Sequence, residues 1–247
     1  MFGYAPGTVT KKTHPEERQV GKVCELASGY QGSVGAWRQF DNSDRFTDEE
    51  VKKIVKKWRE GNRAIVSFWW DLEDAARDTI QTGCNQYVGD HLMLGMDGAF
   101  MFMEAPNGKR IWYANPELVL AQPAWCVPAE DELCAMGVCG HDPTLQVRYM
   151  SWKAGGWRHT HTYGGKLAEN ACQFVSREIL RAAQSNVLED MPDTGRLVLS
   201  VYDELVAELP EGAWSIEEMV NVMEERQQWY SDWPLRADGW EGRRYKK

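Results

Sequence analysis

Ser200-Val201-Tyr202-Asp203-Glu204-Leu205-Val206 is apolar on both sides of a Tyr-Asp-Glu centre. Within Leu197–Leu209 it reads as a strand entering and a strand leaving a tight turn, with two adjacent carboxylates at or near the tip. Consecutive side chains of an extended backbone face opposite sides, so only one acid can aim directly at a metal, and Asp203 is our choice. Mg²⁺ is held by one or two carboxylates together with substrate phosphates and water, which such a tip can supply. An ordinary acidic hairpin turn has the same composition, and the segment alone favours that plainer reading.

Outward from this hairpin, the chain alternates helical and hairpin signals. Thr13–Gly29 reads as a helix with a Thr13/Glu16 capping box, Pro15 in the first turn and Gly29 at the end. Ser43–Asp78 is helical in two pieces broken at Gly61; Val51, Ile54, Val55 and Trp58 keep helical spacing among lysines. From Gly89 the texture turns to short pieces punctuated by Gly and Pro. Ala99–Met103 and Arg110–Tyr113 flank a Pro106-Asn107-Gly108 turn, and Leu145–Trp152 and Trp157–Thr162 flank Gly155-Gly156. Ala121–Pro143 is irregular, Tyr163–Asn186 is helical, and Ser215–Tyr230 is a last helix before a basic tail. Helices followed by hairpins packed with helices make an α+β protein.

The 247 residues are 43% hydrophobic and 11% aromatic, enough for a sizeable core. A net charge of −9 argues against binding nucleic acid through bulk positive charge and leaves local placement to decide. No stretch reaches the roughly 20 apolar residues of a membrane span, and the N-terminus lacks a signal-peptide pattern. Six scattered cysteines make no disulfide scaffold. A soluble intracellular protein is expected.

Two further constellations carry chemistry. Arg18, Lys22, Leu26 and Tyr30 recur every four residues, an advance of ~400° on a helix, so they form one slowly winding stripe. Two cations at i and i+4 repel by ~0.2–0.5 kcal/mol, a cost that an anion lying over both removes. Arg grips phosphate bidentately, Lys is a mobile charge or proton source, and Tyr30 can stack on a base. A solvated helix face followed by a core tyrosine is the plainer account. Gly164-Gly165-Lys166 opens a helix on which Glu169, Asn170, Gln173 and Arg177 share a face. That face can contact a nucleic-acid backbone or base edges, or be a surface helix with Glu169–Gln173 pairing.

Taken together, these segments resemble one family. Arg18-x3-Lys22-x7-Tyr30 resembles the fingers-helix motif of family A DNA polymerases, and Val201-Tyr202-Asp203-Glu204-Leu205-Val206 resembles the palm's His-Asp-Glu motif. Tyr163-Gly164-Gly165-Lys166-Leu167-Ala168-Glu169-Asn170 with Gln173, and the ending Gly239-Trp240 with Arg243-Arg244-Tyr245-Lys246, look like the bacteriophage-type subgroup. The resemblance covers essentially the whole chain in order. It implies a partial right-hand fold, with residues 1–144 as helical fingers and subgroup-specific hairpins and 145–247 as the later part of an incomplete antiparallel palm. It further implies that Arg18 and Lys22 bind the incoming dNTP, with Lys22 a proton donor to pyrophosphate, and that Tyr30 lies beside the templating base. Asp203 would hold Mg²⁺ in a two-metal site with Glu204 as its acidic neighbour, while Gln173, Asn170, Arg177 and Tyr202 would meet primer–template DNA. The implied location is the cytoplasm, of the host if phage-encoded or of the bacterium if carried as a prophage.

Four departures from the family pattern matter. Tyr202 stands for the usual His, Leu26 for Phe or Tyr facing the sugar, and Gln31 for the Gly after Tyr30. The family's other metal aspartate, in an Asp-Tyr-Ser-like strand, has no counterpart here. Two divalent ions need carboxylates from both strands, so activity is expected only with a second polypeptide carrying the upstream palm strand, thumb and any exonuclease domain. The alternative is a catalytically inactive nucleotide- and DNA-binding remnant. Separately, Cys126, Cys134, Cys139 and His141 offer a Zn²⁺ ligand set, but gaps of seven, four and one residues do not match a zinc knuckle and favour free thiols.

Overall fold

Apolar residues at three- and four-residue spacing place Val20, Val23, Cys24 and Ala27 on one buried face of helix α1 (Pro15–Ser28). The structure, a computed structural model, describes residues 4–5, 7–41, 43, 45–121 and 143–245. It divides into two compact units, Met1–Ala171 and Cys172–Lys247.

In the first unit the face of α1 meets Trp37 from α2 (Val34–Phe40) and Val51 and Val55 from α3 (Asp48–Gly61) in one core cluster. A capping box between Thr47 and Glu50 starts α3. The break expected at Gly61 falls at Asn62, and α4 (Arg63–Thr82) follows, ending on Gly83 at φ 73°. The chain then forms an antiparallel meander of β1 (Gln86–Val88), β2 (Leu92–Asp97), β3 (Phe100–Glu104), β4 (Arg110–Ala121), β5 (Thr144–Lys153) and β6 (Gly156–Thr162), in that spatial order. A register shift between Ala114 and Glu117 bulges β4. The sheet's inner face carries Leu94, Met101, Met103, Tyr113 and Val147, all buried, and packs on α4 through its Trp69, Leu72 and Ala76 face. The α+β expectation holds, with both expected hairpins present as parts of this single sheet.

Helix α5 (Gly164–Asp190) begins in the first unit and continues into the second. In the second unit β7 (Arg196–Val201) and β8 (Glu204–Glu208) pair as an isolated hairpin. Val187 of α5 and Met219 and Val222 of α6 (Ile216–Glu224) form its buried core, with Leu197, Leu205 and Ala207 against it.

Three local expectations are corrected. Thr13 does not cap α1: its hydroxyl bonds within the preceding turn, to Thr8 O and Thr10 N–H, and the N-cap is His14, whose ring bonds Thr8 O and makes no capping bond to the helix. Tyr30 lies beyond the end of α1, so the helical stripe comprises Arg18, Lys22 and Leu26. The helix expected over Ser215–Tyr230 stops at Glu224, and a 3₁₀ turn follows at Gln228–Tyr230. The Glu224 carboxylate accepts from the Ala237 N–H and Arg236, which turns the chain back along the helix end. Among the described residues no helix is long and apolar enough to cross a membrane. Cys126, Cys134, Cys139 and His141 lie outside the described residues.

Candidate functional site

On α1 the buried face fixes what the opposite face presents. Arg18, Lys22 and Leu26 are exposed, and neither cation makes an ion pair among the described residues. Two bare charges one turn apart form an anion-ready strip, and no acid of the same helix neutralises them. Glu25, beside them in sequence, accepts instead from Trp58 Nε1 at 2.9 Å.

The loop that follows α1 is held from three directions. Trp69 Nε1 donates to Gly29 O at 2.9 Å, and Arg59 Nη2 donates to Gln31 O and Gly32 O at 3.2 and 3.1 Å. The Trp69 ring stacks on Trp58, and the Arg59 guanidinium lies over Trp69. Gln31 adopts φ 67°, the left-handed region that glycine occupies without cost, at the position where the family pattern has Gly. Its side chain offsets this strain: Gln31 Oε1 accepts from the Gly165 N–H at 2.8 Å, satisfying an otherwise unbonded donor at the start of α5.

Gly164 and Gly165 are therefore close-approach residues. A Cβ on Gly165 would lie 2.3 Å from Tyr30 O, and one on Gly164 would lie 2.0 Å from Trp69 O. Gly164 N–H donates to Glu73 Oε2 at 2.9 Å, and Glu73, buried in α4, also receives Arg77. One turn further, Asn170 Nδ2 donates to Tyr113 Oη at 3.1 Å. Burial pushes the Tyr113 hydroxyl up to about 12, against the lowering effect of the Asn170 bond. Asn170 thus ties α5 to the sheet, while Gln173 and Arg177, in the second unit, are exposed. Arg177 pairs with the buried Glu178 at 2.8 Å, which Arg181 also holds.

In the second unit Val201 and Glu204 pair across a two-residue turn of Tyr202 and Asp203. Tyr202 is 90% exposed at φ 55°. Asp203 is exposed and its carboxylate has no hydrogen bond or ion pair among the described residues. Glu204 is half-buried, and its Oε2 accepts from Tyr245 Oη at 2.7 Å; that bond raises the Tyr245 hydroxyl's titration.

Sequence reasoning missed Glu73, Arg59, Trp69 and the side-chain role of Gln31. Of the three acids in Asp71–Asp74, Glu73 is the one at helical spacing from both Trp69 and Ala76, and that was the available signal.

No family model matches the chain, and no solved structure matches it. It is 32% identical over 249 aligned residues to a DNA polymerase of Bacillus phage SP02. That alignment takes in all of this chain and 35% of the phage protein, so the chain spans about a third of its relative's length. Along its entire length, the chain is similar to part of a phage DNA polymerase.

Proposed function

We propose that these residues are the fingers and later palm of a family A DNA polymerase, taking part in template-directed transfer of dNTPs onto a primer 3′-OH in the cytoplasm. The observation that carries this reading is the whole-chain similarity to a phage DNA polymerase. The geometry supports it: both motif segments present uncommitted charge, Arg18 and Lys22 on one helical face and Asp203 on an exposed turn. On this reading residues 1–144 are the fingers and 145–247 the later palm, and the β4–β5 pairing crosses that functional boundary. Arg18 grips the triphosphate bidentately, and Lys22 neutralises it and gives a proton to the departing pyrophosphate. Leu26 faces the sugar, Tyr30 lies by the templating base, and Gln173, Asn170, Arg177 and Tyr202 meet primer–template DNA.

Carboxylate oxygens are the donors that Mg²⁺ prefers, so Asp203 fits as one ligand with Glu204 beside it. Among the described residues no three His, Cys, Asp or Glu side chains are grouped to hold a metal ion. The fit is therefore to part of a site, which on this reading the aspartate of an Asp-Tyr-Ser-like strand completes. When bound, a metal pair stabilises charge on the attacking 3′-oxygen and the leaving pyrophosphate.

One observation favours the second reading, a non-catalytic DNA- and nucleotide-binding remnant: the Glu204 carboxylate is already engaged by Tyr245. Primer extension separates the two. The chain is assayed alone, with a polypeptide carrying the Asp-Tyr-Ser-like strand and thumb, and as Asp203→Ala with that polypeptide. We expect synthesis only from the complemented wild type, and a loss of about a hundredfold or more in the variant, as for other groups that stabilise transition-state charge. Equal synthesis by Asp203→Ala removes Asp203 from the metal site. Absence of synthesis with dNTP and DNA binding intact establishes the remnant.

A further inference from the structure

The six-stranded sheet packs one face on α4, and the other carries aromatic rings in register, of which Phe102 is buried and the tryptophans are exposed. Gly95, Phe102 and Trp112 are cross-strand partners, as are Trp152 and Trp157. Ala114 pairs with Met150, so Trp112 and Trp152 lie two residues along from that pair on the same face. The result is a transverse aromatic row over β3 to β6. Trp112, Trp152 and Trp157 are 49, 63 and 60% exposed, and Phe100 and Tyr87 stand exposed on the same face.

The row is built rather than incidental. Gly95 has no Cβ, and one placed there would lie 2.5 Å from the Phe102 ring, so glycine lets that ring lie flat over the neighbouring strand. Trp112 meets Phe102 at 5.6 Å, and the Arg110 guanidinium caps the ring 3.9 Å from its centroid. Trp152 and Trp157 hold each other edge to face at 6.0 Å. Exposed apolar patches of this kind mark interaction sites.

We infer that this outward sheet face binds a single DNA strand by stacking its bases on the Trp112, Trp152 and Trp157 row. The choice of DNA rests on the polymerase reading above. Three chemical features favour a strand of bases over a protein core. The large exposed groups are flat rings, which stack on any base. By register Arg110, Arg148, His159 and His161, with the acids Asp97, Glu104 and Glu117, surround the rings with charge rather than with apolar neighbours. Strands ~4.8 Å apart make the three exposed tryptophans a row about 10 Å long, room for two or three nucleotides.

The charges on this face set its character. Arg110 pairs with Glu104 at 2.5 Å, and Arg148 and His159 share Glu117 at 2.8 and 3.0 Å. Little net positive charge is left to release counterions, so stacking has to dominate and salt dependence has to be shallow. Lys53, Lys56 and Lys57 on α3, exposed and outside any ion pair among the described residues, offer the contrasting steeply salt-dependent mode.

Fluorescence anisotropy with a labelled oligothymidylate, titrated at low and at physiological salt, tests this. Trp152→Ala with Trp157→Ala, and separately Trp112→Ala, should each weaken binding about tenfold at physiological salt. The slope against salt should stay near wild type, and Phe at positions 152 and 157 should restore most of the affinity. Circular dichroism checks that the sheet is intact in each variant. Wild-type affinity in both Ala variants overturns the inference, as does absence of oligothymidylate binding by the wild type. So does a change confined to self-association in sedimentation, which makes the face a protein interface. The Asp203→Ala extension assay is read independently: Asp203-dependent synthesis with binding indifferent to the tryptophans removes this platform and leaves the polymerase reading standing.

Discussion

Gln31 in the first unit and Tyr202 in the second both hold a left-handed backbone, at φ 67° and 55°, although neither is glycine. Both sit in segments that carry the candidate chemistry, and both depart from the residue the family pattern has there. Their surroundings differ. Gln31 spends its side chain on the Gly165 N–H, and its own carbonyl accepts from Arg59, so its strained conformation is over-determined by neighbours. Tyr202 is 90% exposed at a hairpin tip, where packing offsets little of the cost. A departure from a family pattern can therefore be fitted or merely tolerated, and the neighbours decide which. The mounting of the cation-bearing helix α1 is a locked joint; the acid-bearing turn is an open one.

The most severe way to break this contrast is to crowd the joint. In Gly165→Ala the new Cβ meets Tyr30 O at 2.3 Å, and backbone cannot swing aside as a flexible side chain does. We expect destabilisation of about 3 kcal/mol, at the upper end of overpacking effects, measured by urea unfolding of the first unit. A change under about 0.5 kcal/mol would mean that the joint yields, and the distinction from the hairpin tip would lapse.

Alkaline pH probes the same contrast through two tyrosines. Tyr113 is raised to about 12 chiefly by burial, whereas Tyr245 is raised by the Glu204 carboxylate it bonds on the surface. A folded value above the unfolded one contributes stability fully below the unfolded value near 10, and this is lost as pH rises through the folded value. The first unit should therefore lose on the order of 2 kcal/mol between about pH 10 and 12. Tyr113→Phe should remove most of that loss, Tyr149, whose hydroxyl burial also raises, keeping a remainder, at a cost of about 1 kcal/mol at neutral pH from the broken Asn170 bond. Tyr245→Phe should leave the alkaline profile of the first unit unchanged. An unchanged profile in Tyr113→Phe would place the alkaline transition elsewhere.

Much of this architecture is legible in the sequence because its signals are local. Buried Val51 and Val55 at helical spacing and the Gly108 and Gly155 turns mark α3 and the hairpins without reference to anything distant. The joint is not legible in that way. Gln31 and Gly165 are 134 residues apart, beyond the reach of any periodicity, and the Gly164-Gly165 pair does not itself reveal that its purpose is close approach. The Tyr245–Glu204 bond spans 41 residues and escapes for the same reason. Three-residue β1 and the merging of separate hairpins into one sheet depend on register between strands, which no single segment encodes. Among the proposed site residues, exposure of Arg18, Lys22 and Asp203 follows from pattern, while the bond that holds Asn170 on Tyr113 does not.

The smallest effects are also the most discriminating, because glycine substitution should act with opposite sign at the two strained positions. Gln31→Gly relieves the left-handed strain, worth about 1 kcal/mol, but leaves the Gly165 N–H without its acceptor and frees the unfolded chain. The net should be a loss of about 1.5 kcal/mol, and Gln31→Ala, which keeps the strain and loses the acceptor, should cost about 2 kcal/mol. Tyr202→Gly relieves the same kind of strain in a two-residue turn whose side chain is 90% exposed. Unfolding of the second unit should shift upward by about 0.5 kcal/mol, the part of the strain left after glycine's greater unfolded-state freedom is subtracted. A loss there instead would mean that the Tyr202 ring is held by interactions of its own, and that the hairpin tip, too, is a fitted departure from the family pattern.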